Sequence, residues 1–157
     1  MPLNRARSFI IGAVACSAIA VSSASVAHGD DEKRFPESQY RHDVMEFVKY
    51  AYSNIAQLMK GTAEHEGHMA KHAQIMASAA SMAKAAFEKD TRGMEGATEA
   101  RDEIWENWDD FAQRLDKFEA DAAALATAAE GGNMGEIGPA FKKTMSNCKS
   151  CHDDYRK

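Results

Sequence analysis

Cys148-Lys149-Ser150-Cys151-His152, five residues from the end of a 157-residue chain, is the stretch that decides how the rest is read. Two thiols three residues apart, followed at once by histidine, form the C-x-x-C-H pattern of covalent c-type haem attachment. The chemistry sets the spacing. Each thiol adds across one vinyl group of the same porphyrin, so both must stand on one side of the chain, as residues three apart on a helix do. His152 can then offer its imidazole to the iron as the proximal ligand. A structural zinc site wants about four ligands, and no second Cys pair exists. A thioredoxin-like pair wants a βαβ context, and no strand pattern surrounds these residues. A plain disulfide stays open as the alternative.

Working back from the motif, Phe141, Met145, Cys148 and His152 fall at steps of four, three and four. This predicts a helix from about Gly138 to Tyr155 with the motif on its inward face. Ile104, Trp108, Phe111, Leu115, Phe118, Ala122 and Leu125 form a coiled-coil-like seam on a further helix, closed by Gly131-Gly132-Asn133. Met69, Met76, Ala80, Ala83 and Phe87 mark the inner face of a helix over roughly Ala63 to Lys89, before a break at Asp90-Thr91-Arg92-Gly93. Val44, Met45, Val48, Ala51, Tyr52, Ile55, Leu58 and Met59 mark one from about Pro36 to Lys60, stopped by Gly61. Pro36 and Pro139 lie near expected helix starts, where a missing N–H does no harm. Four amphipathic helices with short connections predict an all-α, antiparallel four-helix bundle carrying one covalently attached haem between helices.

The N-terminus reads as a secretory signal peptide over residues 1–27, with Arg5 and Arg7 ahead of the apolar run Phe9 to Val21 and Ser25-Val26-Ala27 as a cleavage site. The run is short for a bilayer span, so the mature chain, 28–157, is expected to carry none. Export places the thiols outside the cytoplasm; the periplasm of a Gram-negative bacterium is the expected compartment. Removing residues 1–27 takes two of 19 basic residues and none of 24 acidic ones, leaving a formal charge of −7. That disfavours nucleic acid as a partner and suits a basic docking surface on a redox partner protein.

Three further elements join the terminal motif. Tyr40-Arg41-His42-Asp43-Val44-Met45 opens the first helix, which Lys60-Gly61 closes. Ile104-Trp105-Glu106-Asn107-Trp108 opens the third, and the terminal motif continues as Asp153-Asp154-Tyr155-Arg156. Together they resemble the cytochrome c prime family over nearly all of the mature sequence. The resemblance implies haem c, one per chain, held through two thioethers by Cys148 and Cys151 with His152 on the iron. It implies Arg41 and Arg156 near the haem propionates, consistent with the pairing of guanidinium forks and carboxylates; the competing reading of each is a solvated helix-face charge. Homodimers through the first two helices are a further implication.

In that family the residue four after the first-helix Arg faces the distal side of the haem; here it is Met45. A ligating thioether would make the iron low-spin with His152 and Met45 as axial ligands, the arrangement of an electron-transfer protein. That is the expected function. The alternative is a high-spin cytochrome that takes NO or CO at an open sixth position, with Met45 only packing nearby. His42, three before Met45, could approach the same face. His65, His68 and His72 share a helix face at metal-compatible spacing but read as exposed polar surface. Trp105 and Trp108 read as packing, and Asp102, Glu103, Glu106, Asp109 and Asp110 as a solvated face. No nucleophile–base pair calls for enzymatic chemistry.

Overall fold

A computed structural model describes residues 33–157; the expected signal segment, 1–27, lies outside them. Among the described residues there are five helices and no strands. They are α1 (Pro36–Met59), α2 (His68–Glu88), α3 (Glu103–Glu106), α4 (Trp108–Glu130) and α5 (Met134–Tyr155). The four long ones form the expected bundle. α1 packs on α2, α2 on α4 and α4 on α5, with the short α3 against α4 and α5. The N-terminal half of α1, the C-terminal half of α2, the start of α4 and the end of α5 share one buried cluster, so neighbouring helices run antiparallel. α1 and α5 make no comparably close backbone approach; they meet through large side chains, Tyr52 stacking on Phe141 at 5.8 Å. No helix among the described residues is long and apolar enough to cross a membrane.

Three boundaries differ from expectation, each for a local reason. α2 begins at His68 rather than near Ala63, because Gly61 and Gly67 both adopt left-handed backbone and the chain between them turns. The seam on the third helix is broken at Asn107, whose φ of −123° and ψ of 44° separate α3 from α4. α5 begins at Met134, four residues before the expected start, because the Asn133 side chain accepts from the Gly135 N–H at 2.9 Å and caps it. Pro139 therefore lies inside the helix, in its second turn.

The inward line of α5 also differs. Its buried residues are Ile137, Thr144 and Tyr155, while Phe141, Met145 and Cys148 are half-buried and His152 is exposed. Thr144 is tolerated there because its hydroxyl donates within range of both Asp121 O (3.0 Å) and Ala140 O (2.9 Å). The expected stripe thus borders the core rather than filling it.

Residues 89–102 link α2 to α3 and tie the segment before α1 and the end of α5 to the bundle. Arg34 bridges to Ala97, and Arg156 to Ala100. Ser38 Oγ donates to Ala97 O at 2.6 Å. Gly96, at φ 125°, has no room for a side chain, since a Cβ would stand 2.8 Å from Lys33 O.

Candidate haem site

Cys148 and Cys151 lie one turn apart on the last two turns of α5, as half-buried free thiols. Burial pushes both thiol pKa values up, that of Cys151 to about 11, so both are held as S–H. His152 follows at the helix end. Desolvation lowers its basicity and the Arg156 cation lowers it further, which favours the neutral imidazole that binds metals.

Met45 on α1 is half-buried. It packs against the cluster of Val44, Ala83, Ala86, Ala100, Ile104, Phe111, Leu115 and Tyr155, and so do Phe87, Trp105, Trp108 and Cys151. The fold therefore brings Met45 and the Cys151 end of α5 to one apolar cluster. His42, one turn earlier, is half-buried at the same end.

The two arginines sit in contrasting settings. Arg156 is exposed, and its Nη2 pairs with Glu99 at 2.5 Å. Arg41 is only 3% exposed. Its guanidinium lies 5.4–5.6 Å from the ring centres of Phe35, Phe87 and Trp105. Nη2 donates to Thr91 Oγ1 at 3.1 Å, while Nη1 is buried with no partner among the described residues. Burial lowers the pKa of this group, and Glu37 on the same helix opposes that shift. A buried cationic donor without an acceptor is costly, and a carboxylate is the acceptor it matches best. Haem c brings two carboxylates and a flat apolar body. The orphaned donor, the half-buried aromatic wall and the paired thiols beside an imidazole fit that group.

Trp105 does more than the packing expected of it, since its Nε1–H donates to Phe87 O at 2.9 Å and joins two walls around Arg41. Asp110 is exposed, as expected of a solvated face, and it also has partners. It accepts from the Tyr155 hydroxyl at 2.6 Å and pairs with Arg114 Nε at 2.8 Å. Arg114 in turn lies over the Tyr155 ring at 5.1 Å and donates to Ser150 O at 2.6 Å, bracing the turn that holds Cys151. Burial, reinforced by Asp110, raises the Tyr155 pKa to about 12. The i, i+4 spacing of Asp110 and Arg114 was the one sequence signal for this brace. The rings of His65, His68 and His72 do gather, 5.0 and 6.2 Å apart in sequence order. Among the described residues, however, no group of three or more ligands converges to hold a metal.

A family profile described as Cytochrome C' matches residues 37–156. Cytochrome c' of Alcaligenes xylosoxydans xylosoxydans is 28% identical over 120 residues, covering 76% of this chain and 91% of that protein. Among solved structures, cytochrome c prime from Shewanella frigidimarina superposes with a TM-score of 0.71 at 28% identity, covering 79% of this chain and 99% of its own. The nitric oxide complex of a variant of cytochrome c prime from Alcaligenes xylosoxidans gives 0.68 at 26% identity, with the same coverages of 79% and 99%. A carbon monoxide-bound variant of the same protein gives 0.67 at 27%, covering 77% of this chain and 94% of its own.

Proposed function

This chain belongs to the cytochrome c prime family, and we propose that it is a periplasmic monohaem c-type cytochrome that binds NO or CO opposite His152, with Met45 governing that face. The observation that carries the reading is the position of Met45, half-buried against the cluster that also receives Cys151. Gas-bound neighbours at 26–27% identity support it. They make gas binding, rather than the electron transfer expected from the sequence, the first reading.

When bound, haem c supplies an iron that can take a diatomic ligand and change oxidation state. The chain's own residues do the rest. Cys148 and Cys151 would hold the group through two thioethers, each thiol's sulfur joining one vinyl carbon and its hydrogen the other. His152 would offer its neutral imidazole to the iron. Arg41 Nη1 would donate to a propionate. Arg156, already paired with Glu99, can reach a propionate only by sharing or leaving that partner. These are binding roles, and no residue is given a catalytic one.

Electron transfer to a redox partner protein is the second reading, favoured by the chemistry of Met45 itself. Its thioether is a competent axial ligand on the face where a gas would bind. Optical and EPR spectra of the purified protein separate the two. A five-coordinate, high-spin ferric haem whose ferrous form takes CO and NO is the expected result. A six-coordinate, low-spin haem that takes neither gas would overturn the gas-binding reading in favour of His152/Met45 ligation. Met45→Ala should then convert low-spin to high-spin; a spectrum left low-spin would implicate His42.

A further inference from the structure

Arg41 is held by more than its helix. Three aromatic rings from three segments surround its guanidinium: Phe35 before α1, Phe87 at the end of α2 and Trp105 on α3. Ring faces attract a guanidinium but do not orient its individual donors. Among the described residues, orientation comes from one hydrogen bond, Nη2 to Thr91 Oγ1. Thr91 is itself 5% exposed, on the link between α2 and α3. Its own carbonyl accepts from Met94 N at 3.2 Å, closing a turn.

We propose that Thr91 is a positioning residue for haem carboxylate binding, turning the Arg41 guanidinium so that Nη1 is the donor left for a propionate. The inference rests on the haem reading above and deepens it. The charged groups around the site are already matched. Glu37, on the same helix as Arg41, pairs with Lys89 at the end of α2. Asp90 and Arg92, flanking Thr91, pair with each other at 2.6 Å. Against the guanidinium itself, the described segments bring the rings of Phe35, Phe87 and Trp105 and the hydroxyl of Thr91. Among the described residues no carboxylate pairs with the cation, and the bond to Thr91 fixes its unpartnered donor in direction. Thr91 acts through Arg41 and not on the haem itself.

The test uses the full chain, matured with its haem, as parent, Thr91→Val, Thr91→Ser and Arg41→Gln. Covalent haem content is measured first, then reduction potential from pH 5 to pH 8. An oriented cation keeps the propionate ionised and offsets its charge. Losing it lets the ionised carboxylate favour ferric iron and raises the propionate pKa into the titrated range. Thr91→Val and Arg41→Gln should therefore both lower the potential at pH 7, shifting the ferric-to-ferrous ratio by roughly three- to tenfold, and both should steepen its fall with pH. Thr91→Ser, which keeps the hydroxyl, should follow the parent. If Thr91→Val fails to retain haem, Thr91→Ala makes the same deletion with less bulk.

A fully loaded Thr91→Val or Thr91→Ala protein with the parent's profile would overturn the inference, even if it melted earlier, because that is a purely structural role. A shift in Thr91→Val with none in Arg41→Gln would overturn it as well. Absence of covalent haem from the parent would instead overturn the haem reading beneath it.

Discussion

On the haem reading the end of the bundle away from Cys151 is the closed one: around Phe118 it gathers Ala51, Ile55, Ala73, Met76, Ala80, Ala122 and Leu125, all at most 1% exposed, with Phe141 and Met145 half-buried against them. The Cys151 end is the open one, and its core is aromatic. Phe111 meets Phe87 at 5.1 Å, Tyr155 at 5.0 Å and Trp108 at 6.0 Å, yet Met45, Phe87, Trp105, Trp108 and Cys151 remain half-buried around it. Alanines let helices approach and fill the space between them without help. Large rings packed edge to face, with their outer surfaces uncovered, leave apolar area for another body to cover. The aromatic end is the one that the proposed haem would complete.

The strongest way to break that comparison is to damage the closed end. Leu125→Ala deletes a fully buried side chain in a region with little room to collapse, and should cost about 3 kcal/mol. Urea denaturation should report that loss, while the haem spectrum under native conditions stays that of the parent. A changed spectrum would mean that the two ends are one cooperative site. The open end should behave oppositely. Protein whose Cys148 and Cys151 are both replaced by Ala, and which carries no haem, should lose roughly 2–3 kcal/mol of amide exchange protection around Val44, Ala83 and Ile104. Protection around Ile55 and Leu125 should persist. Uniform loss at both ends would show that the aromatic cluster does not depend on the cofactor.

The same contrast explains what could be read in the sequence. The four long helices were legible because their apolar residues recur at helical spacing, most completely from Phe111 to Leu125, where every seam residue is buried. The attachment motif was legible because its spacing is covalent chemistry. The open end was harder. Of the expected stripe, Phe141 and Met145 pack on the aliphatic cluster and His152 is exposed, because apolar spacing alone does not say which residues a helix buries. The break at Asn107 was hidden because Ile104 and Trp108 keep a helical step of four across it, with no Gly or Pro to mark it. Arg41 was the least legible. A lone arginine on a helix reads as solvated, and its burial depends on three rings brought together from distant segments.

A smaller effect tests how the two ends are joined. Asp121, on α4 between Phe118 and Ala122 of the aliphatic cluster, has a side chain only 5% exposed, contacted by Lys117 (2.6 Å) and Lys143 (2.9 Å). Asn147 Nδ2 also donates to it at 2.9 Å, one residue before Cys148. Burial works against the charged carboxylate, but the hydrogen bonds from Asn147, Lys117 and Lys143 outweigh it and lower its pKa to about 2. A depressed carboxylate stabilises the fold above its unfolded pKa, and that contribution is lost as pH falls through the folded value. Because both lysines are largely exposed, solvent screening reduces the contribution to about 1–2 kcal/mol. Asp121→Asn should therefore be less stable than the parent above about pH 4, with the difference closing towards pH 2. A difference that persists unchanged at pH 2 would assign the loss to packing instead.

The smallest effect belongs to the start of α5, at the opposite end of that helix from the haem motif. Asn133 Oδ1 accepts from Gly135 N, and its Nδ2 donates to Glu136 at 3.1 Å. The cap satisfies a donor that the helix itself cannot, and Pro139 makes it matter more. Pro139 has no N–H to give to the Gly135 carbonyl, so the first turns of α5 rest on fewer internal bonds. Asn133→Ala should lower stability by about 1 kcal/mol, by the same amount in haem-loaded protein and in the haem-free Cys148/Cys151 double variant, as followed by thermal melts of each. Equal losses would place the cap wholly within the end that the chain completes by itself. A loss seen only without haem would mean that attachment at Cys148 and Cys151 steadies the whole of α5, and the division between the two ends would then stop short of this helix.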